Sequence, residues 1–472
     1  MKAMDLNIGT LHFVGIGGIG MSGIAEVLNN LGYTIQGSDI KESANVERLR
    51  EQGIDVKIGH DGAHVKGVAC VVISSAVKGD NPELKAARAA KIPVVRRAEM
   101  LAELMRMKFT IALGGTHGKT TTTAMVGQML EAAGLDPTVI NGGIVNSYGT
   151  NTRLGKSEWM VVEADESDGT FTKLPASVVA VTNIDPEHME HYGSFDVLKE
   201  AFKTFITNIP FYGYAVMCID HPEVQALIPE ITDRKIITYG FSPQADIRAE
   251  NLRTDPSGTT FDVIFANDDT TLKDIFLPML GRHNVQNSLI ALAVAQQMDI
   301  APPLMKKGME GFTGVKRRFT KTGEVNNVTI IDDYAHHPVE IATILETART
   351  AVKDTGGNVI AVMQPHRYSR LHDLFEDFCT CFNEADSVII TDIYEAGETP
   401  IEGASQQALV EGIKQRGHKD VEALDARENL AKIIHGKAKL GDFVICMGAG
   451  DITAWAYELP GELQVLSESN AA

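Results

Sequence analysis

Three stretches of one design run through this chain, and together they predict an α/β protein of three domains. In each, an apolar strand ends in a glycine-rich or polar turn and a helix follows. The markers are the turn Gly15-Ile-Gly-Gly-Ile-Gly20, the Gly118-Lys-Thr120 turn, and four strand-plus-polar-tip units after residue 316. Alternating strand and helix patterns give mostly parallel sheets, whose ligands bind beyond the carboxyl ends of the strands. The expected layout is a Rossmann-like domain over residues 1–108, a central P-loop ATPase-like domain with a parallel sheet over 109–315, and a C-terminal Rossmann-like α/β domain over 316–472.

The bulk numbers fit that layout. A chain of 472 residues is long enough for two or three cores. It is 44% hydrophobic and 22% charged, an ordinary globular composition. A net charge of −19 argues against general nucleic-acid binding, which needs a basic surface, but leaves room for an anionic small substrate in a locally basic site. The five cysteines are dispersed, with Cys379 and Cys381 the one close pair, so reduced thiols are expected rather than a zinc site. The start does not read as a signal peptide, and no apolar run reaches about 18 residues, so no membrane span is expected.

In the first segment, Leu11–Val14 reads as a strand, and Gly15, Gly17 and Gly20 fit the G-x-G-x-x-G pattern, with Gly18 between them. Asp39 follows a second strand read over Tyr33–Gly37, where a dinucleotide fold puts its ribose-binding carboxylate. On these residues alone the loop suits NAD or the pyrophosphate of another nucleotide. Val68–Ile73 is a further buried strand, ending at Ser74 and Ser75, and Asn81-Pro82-Glu83 starts a helix.

The central segment holds Phe109-Thr-Ile-Ala-Leu-Gly-Gly-Thr-His-Gly-Lys-Thr-Thr-Thr-Thr123, which reads as strand, phosphate loop and helix. Glycines let backbone N–H groups close on phosphate oxygens, Lys119 can reach the β/γ-phosphates, and the Thr120 hydroxyl can ligate Mg2+. The loop is shorter than the common phosphate-loop pattern, with Leu113 where that pattern has its first glycine. Asn141-Gly-Gly-Ile-Val-Asn146 reads as a polar glycine loop, placed to touch a substrate. Glu163, Asp165, Glu166 and Asp168 follow a buried strand, and four acids so close call for a cation among them. Another strand delivers Asn183, Asp185 and His188. His188, Asp185 and His191 are alternative metal ligands on these residues alone. His283 and Asn284 sit at the start of a helix read over Ser288–Met298, placed to cap it or to face a nucleotide.

In the last segment, Lys316-Arg-Arg-Phe319 marks a domain junction. Strands read over Val328–Ile331, Asn358–Met363, Ser387–Ile390 and Asp442–Met447 carry polar tips. The tips bring Tyr334, His336, His366, Arg367 and Arg370 toward one another, a set suited to an anionic or zwitterionic ligand.

Eight of these stretches, in order along nearly the whole chain, resemble the Mur amide ligases of peptidoglycan precursor synthesis. They are Gly17–Gly23, Gly115–Thr123, Glu163–Asp168, Thr182-Asn…Glu187-His-Met, Gly281–Asn284, Arg317–Phe319, Asp332–Pro338 and Gln364–Arg370. The resemblance implies UDP-N-acetylmuramate, not NAD, on the first domain, touching Gly15, Gly17, Gly18, Gly20, Ser38, Asp39, Ser74, Ser75 and Asn141. It implies ATP and Mg2+ on the second, with Gly115, Thr116, His117, Gly118, Lys119, Thr120, Thr121, His283, Asn284 and Arg318 around the nucleotide and Thr120, Glu163 and His188 on the metal. L-alanine would meet Tyr334 on the third, with Lys119, His336, His366, Arg367 and Arg370 as the catalytic set. The expected chemistry is carboxylate activation by phosphoryl transfer, then capture by the amine, in a cytoplasmic enzyme that is a monomer or weak homodimer. A recycling ligase that joins a tripeptide to the same UDP-sugar and, more distantly, an NAD-linked oxidoreductase are the rival readings.

Overall fold

A computed structural model describes residues 8–74, 76–353 and 356–471. Three sheets form the frame. The first contains β1 (Leu11–Val14), β2 (Ile35–Asp39), β3 (Asp55–Ile58), β4 (Cys70–Ile73) and β5 (Val94–Arg96), in the order β3-β2-β1-β4-β5 and parallel throughout. The order reverses at β1, so the loop after β1 opens at the switch point where such sheets bind ligands.

The second sheet has ten strands: β6 (Phe109–Gly114), β7 (Thr138–Val145), β8 (Thr150–Arg153), β9 (Trp159–Glu163), β10 (Val178–Val181), β11 (Tyr214–Cys218), β12 (Lys235–Gly240), β13 (Ile247–Asp255), β14 (Gly258–Phe265) and β15 (Thr270–Leu277). Strand β6 runs between β9 and β10, parallel to both, and ends in the phosphate loop. The third sheet comprises β16 (Thr320–Val325), β17 (Val328–Asp333), β18 (Val359–Met363), β19 (Ser387–Ile390), β20 (Val421–Ala423) and β21 (Phe443–Met447), in the order β16-β17-β21-β18-β19-β20. It is parallel except at β16, which pairs antiparallel with β17.

The chain divides into two compact units, one made of Met1–Arg253, Thr260–Pro278 and Val285–Thr313, the other of Thr254–Thr259, Met279–Asn284 and Gly314–Ala472. The first sheet lies within the first unit, which also holds most of the second. The helix Ile19–Asn30 packs on the β7–β8 hairpin, and Asn151 Nδ2 donates to the Ile19 carbonyl at 2.7 Å. Gly23 explains itself there, because a Cβ would collide with the Thr152 hydroxyl.

Alternation in the third sheet shows how a parallel sheet is buried on both faces. Val359, Ala361 and Met363 of β18 join one apolar cluster, while Ile360 and Val362 join the other.

Several elements are displaced from their sequence reading. Strand β2 runs Ile35–Asp39 rather than 33–37, because Gly32, at φ +93°, is still closing the preceding helix. The phosphate-loop helix begins at Lys119, directly after the loop. Its threonines fit because Thr122 and Thr123 turn their hydroxyls back onto the Gly118 and Lys119 carbonyls at 2.8 Å. The helix expected over 288–298 spans Arg282–Gln297, and Asp332 and Asp333 end β17 instead of following it. All five cysteines are buried free thiols. Among the described residues no helix is long and apolar enough to cross a membrane.

Candidate active site

The first constellation lies beyond β1. Gly15, at φ +76°, lets the chain turn, and the Gly15 and Ile16 amides donate to the Ser38 carbonyl at 2.8 and 3.0 Å. The Gly17 amide donates to Asp39 Oδ2 at 2.8 Å. A cavity of about 610 Å³ opens here, lined by Gly15, Gly17, Gly18, Asp39 and Ser74 among the expected contacts. It is also lined by His60, Lys41 and Lys78, which no sequence signal had singled out. Gly20 instead faces the Arg97 side chain, and Ser38 is buried with its hydroxyl on Glu83 at 2.6 Å. Ser75 lies outside the described residues.

The second constellation surrounds the phosphate loop. The end of β10 clamps it: Asn183 Oδ1 accepts from the His117 amide at 2.7 Å, and Thr182 Oγ1 donates to the His117 carbonyl at 2.6 Å. The Thr116 hydroxyl accepts from the Asp185 amide at 2.8 Å. His117 Nε2 also lies 3.4 Å from Asp185 Oδ2. Gly118, at φ +82°, caps the helix, and a Cβ there would come within 2.8 Å of the Asn287 amide. Lys119 Nζ donates to the Gly115 and Thr116 carbonyls at 2.6 and 2.9 Å and to Glu166 at 2.9 Å. Burial works against its ammonium, but Glu166 and Glu163 outweigh that and hold it above the usual lysine range. Thr121 is buried in the first turn of the helix.

The carboxylates are shared out differently from the sequence expectation. Glu163 takes the Thr120 hydroxyl at 3.1 Å and the Gly142 amide at 2.7 Å. Asp165 pairs with Arg97 at 2.9 Å and Glu166 with Lys119, while Asp168 accepts from Thr170. Two of the four acids are thus neutralised by the protein's own cations, so an external cation is not needed to hold the whole cluster together. His188, at φ +58°, stands with Glu166 and Glu187; ligand atoms of these three lie within 4.8 Å of one another. Asn141 is buried, donating to the Thr120 carbonyl at 3.1 Å and accepting from the Gly142 amide at 2.8 Å, so its side chain braces the loop.

The third constellation belongs to the other unit. The Tyr334 and His336 rings are 5.1 Å apart, His336 and His366 6.1 Å, and His366 stacks on Tyr394 at 5.5 Å with planes 8° apart. Arg370 Nη1 reaches His366 Nδ1 at 3.3 Å. The Arg317 and Arg318 guanidinium groups lie 4.6 and 5.3 Å from the Tyr334 ring centroid. Arg367, at φ +71°, turns its guanidinium toward Glu398 at 3.8 Å. Burial, then His336 and Arg370, push His366 down to about 4. Burial and Arg318 do the same to His283. Asn284 lies in the first turn of its helix, and its amide donates to the Leu280 carbonyl at 2.8 Å. Tyr394 and Glu398 were missed because they sit 24 and more residues past the His366–Arg370 motif, on the tip after a neighbouring strand.

Chemically, the second constellation offers an ammonium, N–H groups and hard oxygen donors around a phosphate-sized loop. The third offers two guanidinium groups and two imidazoles for a carboxylate-bearing ligand.

Comparison with known proteins agrees along the whole chain. Residues 10–109 match the family model described as Mur ligase family, catalytic domain; 113–295 match the Mur ligase middle domain; 317–450 match the Mur ligase, glutamate ligase domain. A UDP-N-acetylmuramate–L-alanine ligase of Maricaulis maris is 62% identical over 467 residues, covering 98% of this chain and 99% of the relative. The solved UDP-N-acetylmuramate-alanine ligase of Thermotoga maritima superposes with a TM-score of 0.80 at 27% identity, covering 98% of this chain and all of that one. A murein peptide ligase of Psychrobacter arcticus shares the fold, with a TM-score of 0.69 at 23% identity over 97% of this chain and 99% of that one. These matches leave no place for the dehydrogenase reading of the first glycine loop. From residue 10 to residue 450, the chain belongs to the Mur ligase family.

Proposed function

We propose that this chain is an ATP-dependent UDP-N-acetylmuramate–L-alanine ligase acting in the cytoplasm, with its three domains at 1–108, 109–315 and 316–472. The observation that carries the substrate choice is the 62% identity with the Maricaulis maris ligase over both full lengths.

The reaction has two steps. An oxygen of the muramate lactyl carboxylate attacks the γ-phosphorus of ATP, the bond to the β,γ-bridging oxygen breaks, and ADP leaves an acyl phosphate. The alanine amine then attacks the acyl carbon; the C–O bond to phosphate breaks, an amine proton is lost, and the amide remains. Phosphorylation is needed because a bare carboxylate has no leaving group.

Lys119 and the loop amides from Gly115 to Thr121 would hold the moving phosphoryl group, whose spread charge is stabilised by positioned donors. Thr120 and Glu163 suit Mg2+: two oxygens bound side by side in an octahedron with bonds near 2.1 Å stand about 3.0 Å apart, and their oxygens are 3.1 Å apart here. His188 would complete the metal surroundings from the Glu166 side. Bound there, the ion would neutralise charge on the β- and γ-phosphates.

In the third constellation, Arg370 donates to His366 Nδ1, so the neutral His366 ring carries its proton on Nε2 and offers it, with Arg367 and Arg370, to the alanine carboxylate. His336 Nδ1 donates to the Tyr334 carbonyl at 2.8 Å, which in the neutral ring puts the lone pair on Nε2, the nitrogen that would take the amine proton.

The test is phosphate release from ATP in the presence of UDP-N-acetylmuramate, scanned over amino acids and the L-alanyl tripeptide. L-alanine should support release; release with the tripeptide alone makes the chain a recycling ligase. Arg370→Ala should raise KM for alanine roughly 10- to 100-fold, the worth of a hydrogen bond to a charged group. An unchanged KM removes Arg370 from the pocket.

A further inference from the structure

Beneath the first cavity lies a hub that the reaction above does not use. Glu83, the second residue of the helix Pro82–Ala89, is completely buried. Its Oε2 accepts from the Ser38 hydroxyl at 2.6 Å and faces His60 Nδ1 at 2.9 Å; its Oε1 faces His64 Nδ1 at 2.7 Å and His12 Nε2 at 3.4 Å. Burial alone would raise this carboxyl, but the hydrogen bonds from His12, Ser38 and His64 outweigh it and bring it down to about 2. The hub therefore holds a fixed negative charge.

Of the three histidines, only His60 also lines the cavity. The carboxylate is an acceptor only, and the Ser38 hydroxyl spends its proton on that carboxylate. Its oxygen, 3.1 Å from His60 Nδ1, is left as a second acceptor. Two acceptors at one ring nitrogen require a proton on it. In the neutral ring the lone pair must then be on Nε2, which has no partner among the described residues. His60 follows β3, two strands and so roughly 10 Å from β1. With a pyrophosphate on the Gly15–Gly18 loop, that is the base end of a nucleotide.

We propose that Glu83 and Ser38 act as positioning residues that lock His60 as a hydrogen-bond acceptor, and that Nε2 of His60 reads the imide N–H of a uracil base. The inference rests on the nucleotide-sugar reading of this cavity. It also explains discrimination: cytosine presents a lone pair where uracil presents N3–H, so the locked ring accepts one base and repels the other. A site built to pair with a donor rejects the analogue that lacks it far more strongly than an apolar pocket can.

The test titrates UDP and CDP into the full-length protein by calorimetry. The wild-type chain should prefer UDP by on the order of tenfold or more. His60→Leu should erase the preference. Glu83→Gln should shrink or reverse it, because the amide can turn its NH2 toward Nδ1 and move the ring proton to Nε2; a purely structural loss would weaken both nucleotides alike. Equal affinities in the wild type, or an unchanged preference in both variants, overturn the proposal. Should Glu83→Gln not fold, long-range 1H–15N spectra of the histidine-labelled wild-type protein decide: a proton on His60 Nδ1 alone supports it, and a proton on Nε2 overturns it. If the wild type binds neither nucleotide while ATP-dependent turnover persists, it is the nucleotide-sugar assignment of the cavity that has failed.

Discussion

The two glycine turns of the first unit share a backbone plan and differ in everything delivered to it. Each follows a central parallel strand, turns on glycine at positive φ (Gly15 in the first, Gly115 and Gly118 in the second), and leads into a helix. At the first, after β1, the turn amide of Gly17, just before the helix, is met by a protein carboxylate, Asp39, at 2.8 Å. At the second, after β6, the neighbouring strands supply Glu163 and Glu166, and the loop carries Lys119 and Thr120 to meet them. On the proposed function, the first turn is thus a cradle and the second a reaction centre. The same strand–turn–helix unit would recognise a phosphate in either case; chemistry at that phosphate would depend on which side chains adjacent strands bring to the same edge.

This contrast can be broken most severely at Lys119. Lys119→Ala should lower turnover by at least ~10²–10³-fold, the scale for removing one charge-stabilising donor, while UDP binding at the first turn stays intact. Turnover near wild type would make the second turn another cradle.

Glu163→Gln should come next. Weakening one ligand should raise the Mg2+ concentration for half-maximal activity roughly 10- to 100-fold, read from a magnesium titration at saturating ATP. No shift would mean that the carboxylate only tethers Thr120 and the Gly142 amide.

Gly17→Ala tests the first turn. Its Cβ would stand 2.9 Å from both Asp39 Oδ2 and Val46 Cγ2, so strain of about 1–3 kcal/mol is expected. The melting temperature should fall and UDP affinity weaken, with ATP affinity unchanged; an equal loss of ATP binding would join the two turns into one functional element.

The smallest effect belongs to Asp39→Asn. The amide oxygen can still accept from Gly17, so UDP affinity should change only a few-fold; a complete loss would show Asp39 itself on the ligand.

Much of this was legible from residue order. The Gly-Lys-Thr turn after an apolar run, and the tips at 334–336 and 366–370, announce their surroundings because strand, turn and helix are local, and parallel sheets send their strand ends to one edge. Less visible were the partners of those residues. Nothing near Glu83 in sequence announces that His12, His60 and His64 converge on it from a strand, the loop after another strand and a short helical turn. Likewise Arg97 reaches Asp165 across 68 positions, and Tyr394 stacks on His366 from another strand tip. The resemblance places Ser38 and Asn141 among the substrate contacts, and residue order does not show that both are buried and hydrogen-bonded to protein groups, Ser38 to Glu83 and Asn141 to the Thr120 carbonyl.

The sequence by itself determined the three α/β segments, the phosphate loop and the family, because these follow from local periodicity and from short motifs whose residues act together. Only the tertiary structure decided how the carboxylates divide among Thr120, Arg97 and Lys119, why His188 stands with Glu166 and Glu187, and which ring nitrogen of His60 keeps its proton. Those are matters of distance between side chains far apart in the chain, and electrostatic and hydrogen-bond energies depend on ångströms of separation that residue order does not encode.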